Sequence, residues 1–250
     1  MKIVVSLTSI PPRFFGLETT LKSIFAQTVE PDYIIINIPY TYNRFPQDFM
    51  LTYFMMNNPK IILNRISVDY GPASKLLGLY SSPIYEKINN DSIIICIDDD
   101  RIYNKNMIET FINNKKINDC ALTVAGWEIS GITKNTYNYK HILLPRGIEF
   151  TREGYIDILG GCCGFAMLKK NCPFNDLKIF KLEPDDPKYY VDDVWISGFL
   201  GINNIPIYII PNNDAVRSSN DYIFPLYDNT RAEKNIACVK YFRDTYTIWI

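Results

Sequence analysis

The stretch IIICIDDDRIYNKN, residues 93–106, decides how the rest of the chain is read. An unbroken apolar run, Ile93 to Ile97, ends at three consecutive aspartates, Asp98, Asp99 and Asp100. A strand apolar on both faces belongs in the middle of a sheet covered on both sides. Three like charges at its end repel one another unless a cation or a partner lies between them. On an extended backbone, residues two apart point the same way, so Asp98 and Asp100 are expected to aim together. Two carboxylates on one side suit a hard divalent cation such as Mn²⁺ or Mg²⁺, which takes oxygen ligands and keeps room for substrate phosphates. The plainer reading is a solvated acidic turn, with Asp100 or Asn104 capping the next helix.

Working outward, short β-branched runs alternate with helical patterns. Strands are expected over residues 2–7, 33–38, 61–68 and 92–97. Helices are expected over 15–26, where apolar residues fall at 17, 21, 24 and 25, then over 46–56, 72–80 and 105–113. This alternation predicts an α/β fold with a mostly parallel central sheet flanked by helices. The second half is less regular. Strands are expected over 121–128, 164–168 and 205–210, and helices over 191–200 and 228–241. Residues 134–157 read as loops or a small antiparallel part. No internal repeat or linker interrupts the 250 residues, so a single domain over 1–250 is expected, with a ligand-binding half 1–118 and a second half 119–250.

Composition narrows the function classes. Hydrophobic residues make up 47% and charged residues 21%, enough apolar material for a sizeable core. The net charge of −1 argues against a nucleic-acid partner, which wants a basic face. No apolar run approaches the roughly 18 residues of a membrane span, and the N-terminal apolar run is too short for a signal peptide. A cytoplasmic location follows as the expectation. The six cysteines show no CxxC spacing, which points to free thiols in a reducing compartment and away from structural zinc.

In open parallel sheets, ligands bind beyond the carboxyl ends of the strands. Three polar segments other than the aspartate triplet are placed to join it there. SLTSIPPR, residues 6–13, follows the first strand and offers hydroxyls and a guanidinium. VDYGPASKLLGLY, residues 68–80, sets Asp69, Ser74 and Lys75 around a helix start, where backbone N–H groups and a lysine suit a phosphate. VDDVWISG, residues 191–198, opens a helix with Asp192 and Asp193. There the helix dipole stabilises the charged form, while the neighbouring carboxylate opposes it. Each motif alone is matched by a bland reading: a polar loop, a capped helix, dipole capping.

Together, IIICIDDD, DYGPASKL, GGCCGF (residues 160–165) and VDDVWISG, in that order, resemble GT-A-fold glycosyltransferases. More narrowly, they resemble the family-2-like transferases of microbes and large DNA viruses. The resemblance spans residue 2 to about 210. It implies a GT-A (Rossmann-like) fold, and transfer of a sugar from a nucleotide-diphosphate sugar, UDP-sugar favoured, to a glycan, glycoprotein or other hydroxyl acceptor. Asp98 and Asp100 then hold Mn²⁺ or Mg²⁺ on the diphosphate, and Asp99 faces the sugar. Thr8, Arg13 and Asp69 hold the nucleoside, Lys75 meets the nucleotide, and Gly160 and Gly161 lie under the donor sugar. Asp192 and Asp193 supply the base of an inverting reaction, Asp193 preferred. Trp127 and Trp195 are the candidates for stacking on an acceptor sugar.

One feature departs from that pattern. Many such enzymes complete the metal shell with a histidine beyond the acidic pair, whereas His141 precedes it. The third protein ligand then falls to Asp214 or to water. Three other readings compete. A sugar-nucleotide nucleotidyltransferase would want a glycine-rich loop after the first strand, which SLTSIPPR lacks. A non-catalytic sugar- or nucleotide-binding domain of the same fold has no need of DDD and DDVW. A phosphatase-like hydrolase would want a hydroxyl residue soon after the second aspartate, a pattern that Arg101, Ile102 and Tyr103 do not fit well.

Overall fold

The computed structural model describes residues 1–45, 51–129, 140–141, 153–173, 185–211, 217–218 and 230–250. Its centre is an eight-stranded sheet. The strands are β1 (Ile3–Thr8), β2 (Tyr33–Pro39), β3 (Ile61–Ile66), β4 (Ile93–Cys96), β6 (Ala121–Thr123), β9 (Gly154–Ile156), β11 (Phe165–Leu168) and β12 (Ile207–Ile209). Their order is β3-β2-β1-β4-β11-β6-β12-β9. The run β3-β2-β1-β4 is parallel throughout, as is the pair β6–β12. Strand β11 enters antiparallel between β4 and β6 and joins the two halves of the chain in one sheet. The short strands β7 (Gly126–Glu128), β8 (Lys140–His141) and β10 (Ile158–Leu159) form a small antiparallel sheet, and β5 (Arg101–Ile102) pairs with β13 (Arg217–Ser218). The architecture is the expected one: a mostly parallel sheet flanked by helices, with a smaller antiparallel part.

Strand periodicity explains the layering. Val4, Ile35, Ile94 and Cys96 face one core, with Leu76 and Leu79 of helix α3 (Ser74–Tyr80), Ile196 and Leu200 of α6 (Asp192–Ile202), and Phe242 of α7 (Arg231–Tyr246). Val5, Leu7, Ile34, Ile36 and Ile95 face the other, with Leu17, Leu21 and Ile24 of α1 (Phe14–Phe25) and Phe111 of α5 (Met107–Asn113). Two short helices, α2 (Tyr53–Asn57) and α4 (Pro83–Lys87), complete the set among the described residues. The helix expected over 46–56 begins only at Tyr53, where Thr52 caps it by accepting from Met55 N–H; residues 46–50 lie outside the described set.

Two expectations are corrected. Residues 121–128 do not form one strand. The chain breaks after β6, where Thr123 Oγ1 donates to the Ala125 carbonyl, and β7 leaves for the small sheet. Beyond β4 the backbone does not stay extended either. Residues 99 and 100 form a turn before β5, so the period of two cannot aim Asp98 and Asp100 together.

A buried polar network docks α3 on the sheet and so fixes what the helix presents. Asn64 Nδ2 donates to Asn37 Oδ1 at 2.8 Å and to the Gly78 carbonyl at 2.7 Å. Asn37 Nδ2 donates to Ser6 Oγ, whose hydroxyl donates to the Lys75 carbonyl at 2.5 Å. A side chain at Gly78 would put its Cβ 2.6 Å from Asn37, so only glycine allows this approach. Among the described residues, no helix is long and apolar enough to cross a membrane.

Candidate active site

Parallel strands end on one rim. Residues 9–13 after β1, 69–75 after β3 and 98–100 after β4 all lie there, and the turn Gly161–Cys163 leads into the antiparallel β11 from the same side. Helix α6 brings Asp192 and Asp193 to this rim in its first turn. The centre of the site is Lys75, 3% exposed. Its ammonium lies 2.7 Å from Asp98 Oδ1 and 3.0 Å from Asp192 Oδ2. Burial pulls the Lys75 pKa down, but Asp192, Asp98 and Asp193 outweigh it and hold it well above the ordinary value, so the group is charged.

The carboxylates respond to their places. Burial pushes Asp98 up, yet Lys75 wins and holds it below the usual range. Asp193 is raised to about 7, by burial first and by the Asp192 charge second. Asp100 is raised to about 6, by burial and then by Asp98 and Asp99. Five carboxylates, Asp98, Asp99, Asp100, Asp192 and Asp193, meet three ion-paired cations, Lys75, Arg13 and Arg101, with Arg231 also acting on Asp193. Negative charge is therefore in excess. Among the described residues no hydrogen-bond donor reaches the buried Asp193 Oδ1, and the buried Asp100 Oδ1 has only a longer ion pair, 3.4 Å from Arg101 Nε. Hard oxygen donors, surplus negative charge and an Asp100 oxygen held only by a 3.4 Å ion pair fit a divalent cation. No group of three or more protein ligands is assembled among the described residues, so phosphate or water oxygens would have to complete its shell.

Gly161 closes the floor of the site. A Cβ there would sit 2.5 Å from Asp193 Oδ1 and 2.9 Å from Lys75 Nζ. Gly160 donates its N–H to the Ala125 carbonyl at 2.7 Å. Thr8, at the end of β1, donates to the Asn37 carbonyl at 2.7 Å. Asp69 spends its carboxylate on its own loop, accepting from Asn43 N–H at 2.8 Å and Gly71 N–H at 2.9 Å.

Several expected roles do not match the placement. Asp99 does not face outward. It is buried, and its carboxylate accepts from Ser9 Oγ and Arg13, because the turn swings it toward the loop after β1. Arg13 is turned inward onto Asp99 and Asp100. Trp195 is 3% exposed within the core, three residues past Asp192 and away from the rim, so no ring face is left for a sugar. Trp127, on β7, is half-buried beside the same core. Asp100 does not cap the following helix, whose N-cap position is Asn106. His141 joins β8 and pairs its backbone with Trp127; Asp214 lies outside the described residues.

Three participants carried no sequence signal. The Tyr103 hydroxyl accepts from Asp98 N–H at 2.9 Å and donates to the Cys162 carbonyl at 3.4 Å, tying the aspartate triplet to the glycine turn. The Tyr189 hydroxyl donates to the Asp69 carbonyl at 2.8 Å, tying the segment before α6 to the loop after β3. Ser9 sits within SLTSIPPR, whose hydroxyls are expected to meet a ligand, and nothing there signals its bond to Asp99. All six cysteines are free thiols.

No protein-family model matches the sequence, and no curated protein is matched with significance. Solved structures do match. S. aureus TarS residues 1–349 superposes with a TM-score of 0.52 and 11% identity, over 99% of this chain and 73% of that one. The same S. aureus protein in complex with UDP gives 0.51 and 12%, over 98% and 73%. A 4-diphosphocytidyl-2C-methyl-D-erythritol synthase matches at 0.47 and 9%, over 95% and 98%, too loosely to weigh between readings. At these identities the likeness establishes the fold alone, a Rossmann-like GT-A fold.

Proposed function

We propose that the chain is a glycosyltransferase that moves a sugar from a nucleotide-diphosphate sugar to a hydroxyl acceptor, with inversion. One observation carries this reading. Residues far apart in sequence, on α3, after β4 and at the start of α6, converge on one buried ammonium at the carboxyl rim of a GT-A sheet. TarS is solved with UDP on this fold, which supports a uridine nucleotide as the donor carrier.

The residue types suit the chemistry. Transfer breaks the sugar C1–O bond and leaves a nucleoside diphosphate, whose growing negative charge needs a fixed positive partner. Lys75 supplies one from the protein, held charged by its aspartates. Asp98 and Asp100 are the residues to hold Mn²⁺ or Mg²⁺, which when bound would neutralise the diphosphate further. Asp193 takes the proton of the attacking hydroxyl. Its pKa of about 7 makes it a stronger base than an ordinary carboxylate, well placed for work near neutral pH. Asp192, paired with Lys75, holds the start of α6 in place. Gly161, having no side chain, lets the turn lie directly against Asp193 and Lys75.

The test is a melting-temperature screen with UDP-, GDP- and dTDP-sugars, with and without Mn²⁺, followed by mass spectrometry and NMR of products. A nucleotide-dependent rise and a product of inverted anomeric configuration are expected. No rise with any nucleotide overturns the reading, and a retained configuration removes Asp193 as base. Binding without turnover over a broad acceptor set would instead favour the non-catalytic domain.

A further inference from the structure

Arg13 is built into the site more firmly than a nucleotide contact would be. It ends the turn Pro11–Arg13 just before α1, and its side chain is 10% exposed. One guanidinium nitrogen lies 2.8 Å from Asp99 Oδ1 and 3.0 Å from Asp100 Oδ2. The other carboxylate oxygen of Asp99 accepts from Ser9 Oγ at 2.6 Å, and the Asp99 carbonyl accepts from Thr20 Oγ1 at 2.8 Å. Ser9 is pinned in turn, because the Tyr42 hydroxyl donates to its carbonyl at 2.6 Å. Both carboxylate oxygens of Asp99 and its carbonyl are thus engaged, and the residue is buried.

We infer that Arg13, Ser9 and Asp99 form a strut that positions Asp100, and that neither Arg13 nor Asp99 touches the donor. The inference rests on the proposed donor site at Asp98 and Asp100. Left to themselves, adjacent carboxylates swing apart to lower their repulsion. The shared guanidinium draws Asp99 and Asp100 to one point, and Ser9 stops Asp99 from following Asp100 into the site. Asp100 Oδ2 is then committed to Arg13. Among the described residues Oδ1 keeps only the longer pairing with Arg101 Nε at 3.4 Å and is the oxygen left to face a cation. Arg13 is accordingly a positioning residue. Lysine carries its charge as a compact, strongly hydrated point on a different stem and is no conservative replacement here.

The experiment uses Arg13→Lys, Asp99→Asn and the double variant of the full chain, with Ser9→Ala as a gentler third variant should the others fail to fold. Two quantities are read: melting temperature without ligand, and UDP affinity by calorimetry with and without Mn²⁺. The single variants are each expected to lower the melting temperature, and the double variant to fall no further than the worse single, because one unit has been broken. Affinity for UDP without Mn²⁺ should hold within about twofold, while the Mn²⁺ concentration needed for tightening should rise about tenfold or more, as when a ligand's orienting partner is lost. Ser9→Ala should shift the Mn²⁺ requirement in the same direction. Additive melting losses, or loss of UDP affinity without Mn²⁺, would overturn the strut. If the unaltered protein shows no Mn²⁺ effect, the donor-site reading fails, and the melting cycle still decides whether Arg13 and Asp99 act as one unit.

Discussion

Asp192 Oδ2 lies 3.0 Å from Lys75 Nζ, both side chains 4% exposed, and this contact ties the first turn of α6 to the first turn of α3 across the site. A buried ion pair adds little net stability while intact, but removing one partner leaves the other charge unmet, at about 3–5 kcal/mol. Lys75→Met strands Asp98 and Asp192 together beside Asp193. It is expected to lower stability on that scale in urea unfolding, and to abolish nucleotide binding. A variant as stable as the parent would show that the ammonium is not what holds the carboxylates.

Gly161→Ala separates space from charge. The new methyl has no room 2.5 Å from Asp193 Oδ1 and 2.9 Å from Lys75 Nζ, so the turn or the carboxylate must shift. Small displacements of a reacting group cost about 10²-fold in rate. Turnover should therefore fall by about that factor, while UDP affinity without acceptor changes little. Equal loss of both would move Gly161 out of the reacting region and into nucleotide binding.

Chelation tests the excess of negative charge. A ligand that binds only the folded state stabilises it by mass action, about 2.7 kcal/mol at a hundredfold excess over Kd. Mn²⁺ with UDP is expected to raise the melting temperature, and EDTA to reverse the metal's share. Asp98→Asn and Asp100→Asn should each remove that share. A metal effect that survives both substitutions would place the cation elsewhere.

Much of this was legible beforehand, and the gaps have physical causes. Strand periodicity and the apolar run before Asp98 report burial directly, so the sheet and its rim could be read from them. The convergence of Lys75 with Asp98 could be anticipated because helix start and strand end share one rim of a parallel sheet. The inward placement of Asp99 and Arg13 was not legible because a turn, not a strand, follows Cys96. Local sequence does not reveal that Arg13, far away in the chain, pulls the turn inward. The burial of Trp195 was not legible because an aromatic beside an acidic pair looks like a sugar platform, whereas it lies a helical turn past Asp192 and packs into the core. Tyr103 and Tyr189 act through single hydroxyls on backbone groups, a role that no composition or spacing marks.

The last prediction concerns pH, and its sign follows from Asp193. The residue titrates near 7 in the folded chain and near 3.9, the ordinary aspartate value, when unfolded. Between those values the folded state keeps a proton that the unfolded state releases. Stability therefore falls as pH rises from about 4 to about 7, and the loss persists above 7. Asp193→Asn removes this penalty, and Lys75 retains Asp98 and Asp192 as partners. The variant should gain stability over the parent, more at pH 8 than at pH 5, in paired urea titrations. Asp100, raised to about 6, acts in the same direction in both proteins and cancels in the difference. Activity runs the other way. The base must be ionised to accept the hydroxyl proton, so kcat/KM, which reports the free enzyme, should climb about tenfold per pH unit below 7 and level off above it. Asp193→Asn should bind donor and lose turnover. A variant no more stable at pH 8 would show that Asp193 is not the strained carboxylate, and one that turns over normally would remove it as the base.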